Sequence, residues 1–147
     1  MGPRSSMFSS VSRLALAAWV SFLVLHSVYA GSTGKIEAVA ATGFVEQYFE
    51  ALRQGDTAAV LDMLGPELRE RYKSALSNPK YAEHLRSIYQ GAELYDVAYG
   101  DQPLGAVVTA SLRFPDGELR RIQFRLERRS VQDDSAGLAI VSEQELP

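Results

Sequence analysis

The chain has 147 residues, 46% of them apolar and 22% charged, with a formal charge of −3 and no cysteine. That length serves one domain rather than two, and the missing cysteines exclude a disulfide framework, thiol chemistry and a lipidation cysteine. A mildly acidic balance argues against nucleic acid or an anionic lipid surface as a generic partner.

The first segment reads apart from the rest. Arg4 and Arg13 supply a positive start, and LALAAWVSFLVLHSV (Leu14 to Val28) is a nearly unbroken apolar run. Val28-Tyr29-Ala30 then places small residues where signal peptidase reads them, with Gly31 following. This is the layout of a secretory signal peptide cleaved after Ala30, so the mature chain is expected to be exported, periplasmic or secreted. The alternative is an uncleaved membrane anchor, for which the run is short of the roughly 20 residues a span needs. Cleavage would leave no membrane span, and the loss of two arginines and no acid moves the formal charge from −3 to −5. The expected organisation is a signal peptide over 1–30, a leader and the start of the first helix over 31–40, and a single domain over 41–147. A domain of that size buries roughly 65% of its unfolded surface and must rest on its core alone.

From Ile36 to Leu52 the apolar residues Ile36, Val39, Ala40, Phe44, Val45, Tyr48, Phe49 and Leu52 recur at intervals of three and four. That spacing predicts a helix with one buried face, for which Thr42-Gly43 offers a start with Thr42 as cap. Gly55 suits the left-handed geometry of the helix end, and Asp56 suits the cap of the next helix, whose inner face is Val60, Leu61 and Leu64. Gly65-Pro66 restarts the pattern, with Leu68, Tyr72 and Leu76 on one stripe. Asn78-Pro79 opens a last helix carrying Tyr81, Leu85, Ile88 and Tyr89.

The second half alternates instead. Glu93 to Tyr99 reads as a strand in which either Leu94, Asp96 and Ala98 or Tyr95, Val97 and Tyr99 face inward. The second set buries more apolar surface and is favoured. Val108, Ala110, Leu112 and Phe114 then alternate with polar neighbours, Asp116-Gly117 signals a hairpin, and Ile122, Phe124 and Leu126 form the returning strand. Leu119 is out of phase with Ile122. A two-residue turn pairing Phe114 with Leu119, followed by a bulge at Arg120-Arg121, is expected to bring Leu112 opposite Ile122. Ser130 to Gly137 reads as a polar loop and Leu138 to Gln144 as the last strand. Helices followed by an antiparallel meander define an α+β domain with helices packed on one sheet face.

Helix, Gly-Asp, helix, further helices and then an antiparallel sheet resembles the nuclear transport factor 2-like superfamily. That group includes ketosteroid isomerases, SnoaL-like polyketide cyclases and many exported proteins of unknown role. Phe44, Tyr48, Phe49, Leu52, Gly55-Asp56, Val60 and Leu64 carry the likeness, and the order of elements extends it from Ala41 to about Gln144. The resemblance implies a cone-shaped fold whose sheet curves around the first helix. It also implies a pocket, lined here by Phe44, Tyr48, Tyr72, Leu112 and Phe124. In ketosteroid isomerases a tyrosine at the spacing of Tyr48 before Gly-Asp donates to an oxyanion. The aspartate base that those enzymes carry after the second helix has no match in GPELRERYKSAL, where Glu67 and Glu70 lie on a charged face. Their late-strand acid has no clear match either.

Tyr48 is therefore a weak catalytic candidate and reads first as a core aromatic; Asp96, were it to face inward, is the other. Once His26 leaves with the signal peptide, His84 is the remaining histidine, which is too few ligands for zinc, and Asp133-Asp134 lacks the ligand count of a calcium site. No metal, cofactor, phosphate loop or nucleophile elbow is indicated. Arg113, Arg121 and Arg125 share a sheet face that reads as solvated or as an interaction surface, without the interleaved aromatics that nucleic acid would need. The favoured reading is a non-enzymatic exported domain binding a small apolar ligand or a protein partner, with homodimerisation through the sheet as one form. The alternatives are an isomerase or cyclase acting on a hydrophobic carbonyl compound, and a structural accessory of an envelope or secretion assembly.

Overall fold

The computed structural model describes residues 35–130 and 137–147. The expected signal peptide and the pair Asp133-Asp134 lie outside the described residues, as does most of the polar loop before the last strand. Four helices come first, α1 (Ala38–Gln54), α2 (Thr57–Met63), α3 (Pro66–Leu76) and α4 (Pro79–Tyr89). Four strands follow, β1 (Glu93–Gln102), β2 (Gly105–Arg113), β3 (Leu119–Arg128) and β4 (Leu138–Leu146). The strands form one antiparallel sheet in the order β1-β2-β3-β4, and the helices pack against it as an α+β domain. Among the described residues no helix is long and apolar enough to cross a membrane.

Helix α1 buries Ala41, Val45, Tyr48, Phe49, Ala51 and Leu52; of the expected stripe, Phe44 is half-buried and Val39 and Ala40 are exposed. Its start differs from expectation. Thr42 is not the cap: the helix begins four residues earlier, and the Thr42 hydroxyl donates back to the Ala38 carbonyl at 2.9 Å. Packing of Ile36, which is buried, and a Tyr99 hydroxyl donating to the Ile36 carbonyl at 2.7 Å fix the entry instead. Arg128 adds a second tie, donating to the Lys35 carbonyl at 2.8 Å. At the other end Gly55 is left-handed (φ 66°). Its amide donates to Leu52, and the Asp56 amide donates to Ala51, closing a Schellman motif. The Asp56 carboxylate then accepts from the Ala59 amide at 3.1 Å and starts α2.

The core is built around Phe124 of β3. Tyr48 and Phe49 meet its ring edge-on at 5.7 and 5.6 Å, and Phe49, Tyr89 and Phe114 continue the aromatic chain at 6.4 and 6.0 Å. Edge-to-face pairs of this kind add to what area burial alone contributes.

The β2–β3 hairpin corrects the expected register. The turn is longer than two residues: the Gly117 amide donates to Phe114 O, and the Phe114 amide donates to Glu118 O. Its ladder runs without a bulge from Arg113↔Leu119 to Ala106↔Leu126, pairing Leu112 with Arg120 and Ala110 with Ile122. Leu119 therefore points outward and is 57% exposed. Arg120 takes the inward position, with its guanidinium over the Phe114 ring and 2.7 Å from the Glu118 carboxylate. Leaving one leucine in water forgoes at most roughly 1.5–3 kcal/mol, and the ladder stays intact.

Bulges occur on the two outer strands instead. In β1 the register shifts between Leu94 and Asp96, so Val97 and Tyr99 turn toward the core as the favoured reading has them, whereas Leu94 takes the inward place expected of Tyr95, which is exposed. In β4 the partners step from Arg125↔Ser142 to Leu126↔Ile140, leaving Val141 as the extra residue.

Candidate functional site

The Val141 bulge decides which side chains of β4 enter the domain. Leu138 and Ile140 pack inward, and regular alternation would carry Ser142 and Gln144 inward after them. One extra residue inverts the phase, so Glu143 faces the core opposite Phe124. The bulge is held from the helical side. Leu64 forms a bridge to Ile140, and the Gly65 amide donates to the Ile140 carbonyl at 2.8 Å. A β-carbon at position 65 would stand 3.1 Å from Val141 Cγ1 and 3.2 Å from that carbonyl oxygen, so glycine is what allows the approach.

Glu143 is 3% exposed and is the one buried carboxylate among the described residues. Its Oε2 accepts a bond from the Tyr48 hydroxyl at 3.4 Å, which is long for a bond to a carboxylate. Burial pushes the carboxyl up to about 7; the Tyr48 bond opposes this and the charge of Glu145 adds to it. Tyr48, 1% exposed on α1, is held protonated well above the usual tyrosine range by burial first and by Glu143 second. It is therefore a permanent donor at physiological pH.

Three further tyrosines sense the same charge. Tyr72 of α3 follows Leu68 by four residues on the inner stripe. Burial, then Glu143, pushes it up to about 12, and its buried hydroxyl has no hydrogen-bond partner. Tyr81 and Tyr89 of α4 are raised by the same two causes in the same order. Tyr89 is buried, whereas Tyr72 and Tyr81 are half-buried at the surface end of the cluster. The group is thus a buried carboxyl bonded by one phenol, with a second buried phenol hydroxyl, that of Tyr72, left unbonded.

Of the residues expected to line a pocket, Tyr48, Leu112 and Phe124 lie in the closed core, while Phe44 and Tyr72 pack against it. An open hollow lies elsewhere, between α1 and β1, lined by Glu46, Glu50, Arg53 and the Leu94–Val97 stretch. Asp96 is exposed in that hollow, so it does not supply a buried acid for Tyr48. The site joins Tyr48 to Glu143, a residue that alternation along β4 assigns to the outer face.

The arginines expected on the sheet face are exposed. Arg113 stands 3.9 Å from the Glu93 carboxylate and over the Tyr95 ring, and Arg125 bonds Glu127 at 3.1 Å. His84 lies beside Tyr81, with ring centroids 6.0 Å apart. Among the described residues no three metal-binding side chains of His, Asp or Glu type come together. Comparison of the chain with protein families, with curated proteins and with solved structures finds no match.

Proposed function

We propose that the chain is an exported, non-catalytic domain of the nuclear transport factor 2-like kind, which binds a small, largely apolar ligand bearing a hydrogen-bonding oxygen. The observation that carries this reading is the Tyr48–Glu143 pair, two hydrogen-bonding groups set in an otherwise aromatic and aliphatic core. Apolar walls with a few convergent polar groups are the usual composition of a small-molecule site. A hydroxyl and a protonated carboxyl side by side could both donate to a carbonyl oxygen. Among the described residues no other carboxylate and no histidine is buried, so a proton taken up by Glu143 would have no second buried group to pass to, which favours binding over turnover. Entry would be between Tyr72 and Tyr81, the half-buried tyrosines over the pair.

The test is a panel of hydrophobic ketones and enones, with binding followed by tyrosine fluorescence and turnover by absorbance. Saturable binding without turnover, weakened about tenfold or more in both Tyr48→Phe and Glu143→Gln, supports the reading. Turnover that depends on both residues would make the domain an isomerase- or cyclase-like enzyme instead. No binding across the panel would remove the ligand reading.

A further inference from the structure

Glu143 has an unusual electrostatic position whether or not the core takes a ligand. Its carboxyl accepts one long bond, from Tyr48, and no cation contributes to its surroundings among the described residues. Tyr48 of α1 bonds it, and its charge also acts on the phenols of Tyr72 of α3 and of Tyr81 and Tyr89 of α4. Further out lie Glu145 of β4, Arg71 near Tyr72, Arg120 near Tyr89 and His84 near Tyr81. Arg120 is engaged with Glu118, approaches Glu145 at 3.8 Å and acts on Tyr89. A protonated carboxyl suits this setting; an ionised one needs more donors than Tyr48 provides.

The same place is a mechanical joint. The bulge that turns Glu143 inward is pinned by Gly65, the residue that caps α3, and α3 carries the unpartnered Tyr72 hydroxyl. Helix α3 thus packs on the strand that carries Glu143, close to the bulge that orients it.

We propose that Glu143 is a proton-operated latch on that cover: protonated, it keeps α3 and α4 seated on the sheet, and on ionising it draws the Tyr72 hydroxyl and water toward itself and loosens them. Water enters beside Tyr72 and Tyr81, which are half-buried. The deprotonated form is the open one, so the domain closes in mildly acidic surroundings and relaxes in alkaline ones.

Amide hydrogen exchange tests this on the chain carrying His84→Gln, which lacks the imidazole beside Tyr81. Rates are compared at about pH 5.5 and about pH 8 after correction for intrinsic exchange. The expected result is an acceleration in Pro66–Tyr89 at the higher pH that exceeds the acceleration in β2 and β3 by about tenfold or more, and its disappearance when Glu143→Gln is added. Equal corrected rates at both pH values, or a difference that survives Glu143→Gln, would overturn the proposal. Should Glu143→Gln fail to fold, ring resonances of Tyr72 and Tyr81 decide the matter in the His84→Gln chain. They must shift with the midpoint of the Glu143 carboxyl while the exposed Tyr95 stays still. Separate midpoints, or a shift shared by Tyr95, would count equally against the latch.

Discussion

The Gly65 amide and the Ile140 carbonyl, 75 residues apart in the chain, are bonded at 2.8 Å, and that contact fixes the phase of the last strand. Through the bulge beside it, a junction between two helices determines that Glu143 and not Ser142 reaches the core. Gly65→Ala should therefore disturb more than local packing. The added carbon must displace Val141 or the bonded carbonyl, and a loss of about 1–3 kcal/mol is expected in urea unfolding. The change should also shift the carboxyl titration of Glu143. A stability equal to wild type would show that the strand does not depend on this approach.

Stability should fall as pH rises through the neutral range. Glu143 is raised from an ordinary 4.5 to about 7, so the folded chain holds its proton where the unfolded chain has lost it. The stabilising contribution is complete below about 4.5 and is lost progressively up to about 7. Its size is on the order of 3 kcal/mol for a carboxyl this deeply buried. Urea unfolding at a series of pH values checks the slope, and Glu143→Gln should flatten it. A rising slope over that interval in the wild-type chain would contradict the burial argument.

Tyr48→Phe removes the donor and leaves the carboxyl buried without a hydrogen bond. The expected cost is about 1–3 kcal/mol above neutral pH and clearly less below about pH 5, where the carboxyl is neutral. Because the lost bond opposes the effect of burial, the Glu143 midpoint should also move upward. Carbon-13 observation of the carboxyl measures this directly, and a downward move would mean that Tyr48 does not stabilise the anion.

The hairpin register makes opposite demands on two apolar residues of β3. Leu119→Thr should change stability by no more than about 0.5 kcal/mol, because the side chain is in water. Ile122→Val, buried beside the core, should cost about 0.5–1.5 kcal/mol and Ile122→Ala considerably more. Equal sensitivity at both positions would restore the bulged register that alternation suggests.

The helical half was legible because its boundaries are chemically marked. Gly55-Asp56, Gly65-Pro66 and Asn78-Pro79 each end one helix or start the next by satisfying free backbone groups, and those interactions span only a few residues. The sheet was legible as strands but not as register. Alternation places Leu119 inward and Glu143 outward, and both assignments fail for reasons that local pattern does not contain. The Pro115–Gly117 turn lengthens one hairpin, and contact with Gly65 inserts Val141 into β4. Tyr48 could be singled out from its helical stripe, whereas its partner became visible only when a distant helix junction set the strand phase.

The attachment of Lys35 and Ile36 to the sheet has a mechanical side. Arg128 holds one carbonyl and Tyr99 the other, while the Ile36 side chain is seated in the core. Tension arriving from the N-terminal direction would thus be borne by the sheet through two side chains before it reached α1.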